Sequence, residues 1–295
     1  MPVAAVLGWP LTHTLSPALH AAAYRAAGLD DWRYEARPTA PDGLPAALGE
    51  VRTGALAGVN LTTPHKRAAV PLLDRLADPA GELGAVNTVV PGTAGGELLG
   101  ANTDVAGGLW ALAGQLGLGG PAWDGEGAAV LLGTGGVALA MARAWRSLAE
   151  RRALAGLASA PLTVAGRDLG RAALVAAQAG PGATTLAFDR AADTVASASV
   201  VIQATTLTAT GRPVPGQDRL RPGSFVLDCN YGSSAGGSSA GGLVAAARAA
   251  GAAGAVDGVG MLLAQAAEAV TLMTGVQPDR AAMAAAVGLP WPQPA

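Results

Sequence analysis

The chain has 295 residues, enough for one large domain or two of ordinary size, and a net charge of −2 that argues against a polyanionic partner held by bulk electrostatics. Apolar residues make up 51% but aromatics only 4%, so the core must be built from alanine, valine and leucine. The single cysteine, Cys229, excludes an intrachain disulfide and any multi-cysteine metal site, and gives no sign of an oxidising compartment.

The first ten residues, MPVAAVLGWP, lack a basic leader and read as a first strand (3–8) and turn, not a signal peptide. PALHAAAYRAAG (17–28) follows as a helix, with Pro17 in its first turn and Gly28 past its end. LAGVNLTT (56–63) reads as strand then turn, and HKRAAVPLLDRLA (65–77) as largely helical. AVNTVV and ELLGANTD look like two further strands around the turn PGTAGG. Residues 105–123 carry no charge, but their many glycines suit a helix and a glycine-rich linker better than a membrane span.

A second block opens with AAVLLG (128–133), an apolar strand running into a glycine turn and the helix VALAMARAWRSLAE. PLTVAGRD, ATTLAF, ASVVIQAT and SFVLDCN read as its later strands, GGSSAGG (236–242) as a flexible loop, and GVGMLLAQAAEAVTLMTG as the start of the closing helices. Strands alternate with alanine-rich helices throughout, so the fold class is α/β with a mostly parallel sheet. The closing helices are expected to return to the first block. That gives a discontinuous first domain, 1–104 plus 258–295, with a dinucleotide-binding domain, 105–257, inserted in it.

The glycine turn carries the first chemical signal. Gly133, Gly135 and Ala138 fill G-x-G-x-x-A directly after a strand and at the start of a helix. The first glycine permits the turn, the second lets a pyrophosphate approach, and the small Ala138 allows close helix–strand packing. Gly136 and Val137 belong to the same turn. The next strand ends in Arg167, with Arg171 four residues on, and two guanidinium groups suit the 2′-phosphate of NADP. Asp168, beside Arg167, is an alternative ribose ligand or a partner for the arginine.

The second signal is polar. HTLSP (13–17), NLTTPHK (60–66), AVNT (85–88) and ANTD (101–104) each follow a strand or turn, where ligand groups gather in open α/β sheets. Lys66 is the sole lysine among 19 basic residues. Reduction of a ketone builds alkoxide charge, which needs a cation and a proton donor; lysine supplies both, whereas arginine holds its proton. Asp104 is its candidate partner. Ser16 before Pro17 and Asp104 before a helix are also candidate caps, and Asn60 and Asn87 candidate turn braces.

Together these segments resemble the shikimate dehydrogenase family over most of the chain. GWPLTHTLSP matches its G-x-P-x-x-H-S-x-S-P, NLTTPHK its N-x-T-x-P-x-K, then come AVNT, NTD, GTGG for G-A-G-G, and GVGMLLAQA for G-x-G-M-L-x-x-Q-A. The resemblance implies an α/β substrate-binding domain and a Rossmann-like, doubly wound NADP-binding domain, with the active site in the cleft between them. It implies reversible, NADP-dependent reduction of 3-dehydroshikimate to shikimate. The protein is further expected to be a cytoplasmic monomer or homodimer, with no metal, nucleic acid or membrane partner. Lys66 and Asp104 match the catalytic pair, and Thr14 and Ser16 the hydroxyls that hold the substrate carboxylate. Asn60, Thr62, Asn87 and Gln265 match the groups around the ring hydroxyls, and Tyr231 a tyrosine near the substrate. On the cofactor side, Thr205, Gly258 and Met261 join the glycine turn and the Arg167 segment.

The chain departs from the family at Thr14 for serine, at Gly166 and Asp168 for the Asn and Thr that flank Arg167, at Gln203 for asparagine, and in the Gly/Ser-rich stretch after Tyr231. A quinate/shikimate or aminoshikimate-type enzyme using NAD is the near alternative, and Ser16 favours the smaller shikimate ring over quinate. A non-catalytic NADP- or shikimate-binding regulator is the distant one, and it would be expected to lack the Lys/Asp pair.

Overall fold

The computed structural model describes residues 1–11, 14–231, 242–288 and 291. The stretch 236–242 expected as a loop therefore lies outside the described residues except at Gly242, and His13 lies outside them entirely.

The chain forms two compact units, one of Met1–Ala106 with the described residues from Leu263 to 291, the other Gly107–Leu262. The first contains β1 (Val3–Gly8), α1 (Ser16–Ala26), β2 (Arg33–Pro38), α2 (Leu44–Thr53), β3 (Gly58–Leu61) and α3 (His65–Ala68). It continues with β4 (Arg75–Leu76), α4 (Ala80–Leu83), β5 (Thr88–Pro91), β6 (Leu98–Ala101) and the start of α5 (Asp104–Trp110). In the second are β7 (Ala129–Leu132), α6 (Gly136–Leu154), β8 (Leu162–Gly166), α7 (Leu169–Ala179), β9 (Thr184–Ala187), α8 (Ala191–Ser197), β10 (Val200–Gln203), β11 (Phe225–Asp228), α9 (Leu243–Ala249) and β12 (Gly254–Asp257). Most of α10 (Val259–Thr274), and α11 (Arg280–Ala285), return to the first unit.

The first sheet has the order β2-β1-β3-β5-β6-β4. β5 alone runs against both its neighbours. Its first residues therefore share an edge with the last residues of β3 and β6: Asn60 pairs with Thr88, and Thr88 with Ala101. That reversal brings NLTT, AVNT and ANTD to one place. Leu7, Leu44, Leu48, Val59 and Leu98 form the core beneath.

The second sheet, β12-β11-β10-β7-β8-β9, is wholly parallel. Strand order reverses between β7 and β10, the switch point where doubly wound sheets bind ligands. Every residue of β7 and β10 is buried, as the near-continuous apolar runs, broken only by Gln203, require of strands covered on both faces. The glycine-rich stretch expected as a linker is pinned rather than free. Arg152, buried in α6, donates to the carbonyls of Leu118, Gly120, Trp123 and Ala158 and lies 4.5 Å over the Trp123 ring.

Two expectations need correction. Residues 65–77 are not one helix: α3 stops at Ala68, a 3-10 turn spans Val70–Leu72, and β4 follows. Pro71 has no N–H for the carbonyl of Arg67, so the helix cannot pass it. Nor does the Ser16 side chain cap α1; Ser16 is the first helical residue and its N–H donates to Thr14 Oγ1 at 3.2 Å. Among the described residues no helix is long and apolar enough to cross a membrane.

Candidate active site

Lys66 lies on α3, just past the end of β3, and Asp104 begins α5, just past β6. Lys66 Nζ donates to Asp104 Oδ2 at 2.6 Å, with the two side chains 15% and 7% exposed. At that burial the pair is shielded from the screening that makes surface ion pairs nearly worthless. The second carboxylate oxygen and the residue's own backbone are held as well. Asn87 Nδ2 donates to Asp104 Oδ1 at 2.9 Å, and the Asp104 N–H donates to Asn102 Oδ1. The other candidate role for Asp104, a side-chain cap of α5, is displaced by these contacts, since both oxygens face Lys66 and Asn87.

Asn87 is the hub. Its Nδ2 also faces Thr103 Oγ1 at 2.9 Å and Gln265 Oε1 at 3.2 Å, and its Oδ1 accepts from the Thr103 N–H and the Thr88 hydroxyl. Asn60 Nδ2 donates to Thr88 Oγ1 at 3.0 Å and to the Asn87 carbonyl. Gln265, two residues into the returning part of α10, also accepts from Thr103 Oγ1. Lys66, Asn60, Asn87, Asp104 and Gln265 are thus brought together in one network. Thr62 is half-buried beside it, its N–H bonded to the Leu7 carbonyl, and Thr14 and Ser16 follow β1 in the same unit. Tyr231, half-buried beyond β11, belongs to the other unit.

The sequence reading missed Thr88, Thr103 and Tyr34, whose hydroxyl donates to Asn60 Oδ1 at 2.7 Å. The two threonines lie within motifs already singled out. Tyr34 sits in β2, whose RYEARP alternation is short and was passed over, and nothing else local marks it.

In the second unit the glycine turn leaves β7 for α6. Gly133 has φ +120°, and a Cβ there would lie 2.8 Å from the Ala204 carbonyl oxygen, across the switch point. Gly135 faces open space, with nothing within 4 Å of an added Cβ. The N-terminus of the 19-residue α6 has no side-chain cap, so its N–H groups and dipole are available to an anion. Gly136 is the first residue of that helix, half-buried Val137 the second, and buried Ala138 the third.

At the end of β8, Asp168 is engaged as the cap of α7, accepting from the Arg171 N–H at 3.0 Å. Its other oxygen lies 4.0 Å from Arg171 Nε. Asp168 therefore pairs within its own helix rather than with Arg167, which is exposed and has no partner among the described residues. Gly166 leaves room for Thr134: a Cβ at 166 would lie 2.5 Å from the Thr134 methyl. Beyond β10, Thr205 Oγ1 accepts from the buried Gln203 amide at 2.8 Å. Gly258 donates to the Asn230 carbonyl, and Met261 is buried three residues on.

Asp228, at the end of β11, accepts from the Thr208 hydroxyl and from both nitrogens of Asn230. Burial raises its carboxyl above the usual carboxylate range, and nearby Asp257 adds to the rise.

Residues 6–89 match the shikimate dehydrogenase substrate binding domain, and 258–287 the shikimate 5′-dehydrogenase C-terminal domain. The shikimate dehydrogenase (NADP(+)) of Rhodospirillum rubrum is 39% identical over 297 residues, 98% of each chain. The crystal structure of the Thermus thermophilus shikimate 5-dehydrogenase with NADP(H) and shikimate is similar at TM-score 0.74 and 33% identity, covering 97% of this chain and 98% of that one. A quinate dehydrogenase of Corynebacterium glutamicum, in complex with NAD, is similar at TM-score 0.78 and 30% identity over 96% of both. The chain is a member of the shikimate dehydrogenase family.

Proposed function

We propose that the chain catalyses the reversible, NADP-dependent reduction of 3-dehydroshikimate to shikimate. The observation that carries this reading is the 2.6 Å Lys66–Asp104 pair, set in a network of hydroxyls and amides that suits a small polyhydroxylated substrate. Bound NADPH supplies the hydride. As the ketone oxygen gains charge, the Lys66 ammonium stabilises it and delivers the proton. Asp104 holds that ammonium in place, and Asn87 holds Asp104.

Thr14 and Ser16 receive the substrate carboxylate in this reading. Asn60, Thr62, Asn87 and Gln265 receive the ring hydroxyls, and Tyr231 approaches the substrate. Residues 1–104 and most of 258–295 then serve the substrate, and 105–257, joined by Gly258 and Met261, the cofactor. The turn Gly133–Ala138 takes the pyrophosphate on the α6 N-terminus, with Thr205, Gly258 and Met261 nearby in the chain's second block. Arg167 and Arg171 take the 2′-phosphate. What supports NADP over NAD is that Asp168 is occupied as a helix cap while Arg167 is unpaired among the described residues. The same reading includes a cytoplasmic setting.

A steady-state assay crossing shikimate and quinate with NADP and NAD tests the reading. Shikimate with NADP is expected to give the highest kcat/KM, and preference for quinate with NAD would replace it by the quinate-type alternative.

A further inference from the structure

The hydrogen bonds around Asn87 have a direction, and it can be traced outward. The Asp104 carboxylate, held against the Lys66 ammonium, can only accept. Asn87 must therefore present its NH2 to Asp104 and its oxygen the other way, where the Thr103 backbone N–H, which can only donate, meets it at 2.8 Å. Thr88 Oγ1 has one proton and gives it to that oxygen at 3.0 Å. It must then accept from its other neighbour, which is Asn60 Nδ2. Asn60 is thereby turned so that Oδ1 faces away from the pair, and the group that meets it is the Tyr34 hydroxyl at 2.7 Å. Five groups in series thus share one polarity, from the Lys66–Asp104 pair to a phenol in β2.

The sheet explains how a residue so far along it can reach. Tyr34 and Gly58 both pair with Ala4, while Asn60 pairs with Val6. Tyr34 and Asn60 are two strands apart and two residues offset, so their side chains rise from the same face. The Tyr34 ring is clamped there by His20 of α1, stacked at 3.8 Å with 20° between planes. His20 is buried and bonded to the Tyr24 hydroxyl. The phenol is therefore a fixed donor and not a mobile one.

We propose that Tyr34 is a positioning residue of the substrate site: by donating to Asn60 Oδ1 from a clamped ring, it locks the far end of the Asn60 amide in the orientation that Thr88 Oγ1 and the Asn87 carbonyl set from the near end. The effect on substrate rests on the assignment of Asn60 to the ring hydroxyls, whereas the orienting contact itself does not. Tyr34→Phe keeps the ring and its stack but removes the donor. Without it, Asn60 Oδ1 loses its Tyr34 donor, and the amide is held at Nδ2 alone, by Thr88 Oγ1 and the Asn87 carbonyl.

The test has two arms on the full chain. In the first, Tyr34→Phe is expected to raise KM for shikimate about tenfold, with kcat and KM for NADP little changed. In an Asn60→Ala background the same substitution is expected to add almost nothing, because the two residues act as one unit. A parental KM, or an effect that simply adds to that of Asn60→Ala, would overturn the proposal. A purely architectural role would instead lower the thermal midpoint and leave the KM-to-kcat balance untouched. In the second arm, the side-chain amide resonances of Asn60 and Asn87 are followed by NMR without any substrate. Both are expected to shift in Tyr34→Phe, and unchanged resonances would overturn the proposal. If the parent itself fails to turn over shikimate, the proposed function falls, and the NMR arm still decides the role of Tyr34.

Discussion

The two units prepare their sites by different means. In the first, side chains do it: Asn60, Thr88, Asn87, Thr103 and Asp104 are each held by named partners, and their groups are buried. In the second, the backbone does it: a glycine turn, an uncapped helix N-terminus, open space before Gly135, and an exposed arginine. The difference fits the two ligands of the proposed reaction. A small ring with several hydroxyls must be fixed in one orientation, which needs many directional groups already in place. A dinucleotide is held along its phosphates, which a helix end and a close backbone approach can serve without side chains.

Substitution should therefore hurt the two units differently. Gly133→Ala places a Cβ against the Ala204 carbonyl at a φ that only glycine adopts freely. It is expected to weaken NADP binding by at least about a hundredfold, on the scale of a few kcal/mol that such strain costs. Titration calorimetry measures it, and parental affinity would show that the turn tolerates a side chain and that the contrast is wrong. Arg167→Ala should cost NADP roughly ten- to a hundredfold, the range for a hydrogen bond to a charged group, and leave NAD nearly unaffected. Equal loss for both cofactors would remove Arg167 from the 2′-phosphate.

The first unit carries a pH signature of its preorganisation. Burial lowers the pKa of His20 to about 3, so it stays neutral in the fold while the unfolded chain takes up a proton near pH 6.5. The unfolded state thus binds more protons below that point, and stability falls with falling pH across the window from 6.5 toward 3. Between pH 7 and pH 5 this contribution is about 2 kcal/mol. His20→Phe keeps a ring on Tyr34 and should lose that much less stability over the same interval in urea unfolding. Parallel pH profiles for the two proteins would show that His20 is not held neutral.

Much of this was legible in the sequence where the local pattern and the tertiary role agree. β1, the apolar strands β7 and β10, and the glycine turn announce themselves because buried parallel strands are apolar along their length. The polar motifs of the first unit were visible as motifs, but their convergence depends on β5 running antiparallel, which no single segment encodes. β2 was missed because its alternation is short and rests on Tyr34 and the weak strand former Ala36 between the charges of Arg33, Glu35 and Arg37. Tyr34 was hidden with it. The helix expected over 65–77 failed because its apolar spacing was read past Pro71. The engagement of Asp168 as a cap was passed over, although Asp directly before a helix is a cap signal, because Asp beside Arg was read as an ion pair or a ribose ligand.

The central claim is that Lys66 acts as cation and proton donor at once, and a pair of substitutions tests it. Lys66→Ala and Lys66→Arg, assayed with shikimate and NADP, are both expected to lose about a thousandfold or more in kcat, the sum of lost proton transfer and charge stabilisation, while NADP binding persists. Arginine keeps the charge beside Asp104 but holds its proton, so it should not rescue the step. Near-parental turnover in Lys66→Arg would contradict the account and reduce Lys66 to a positive charge.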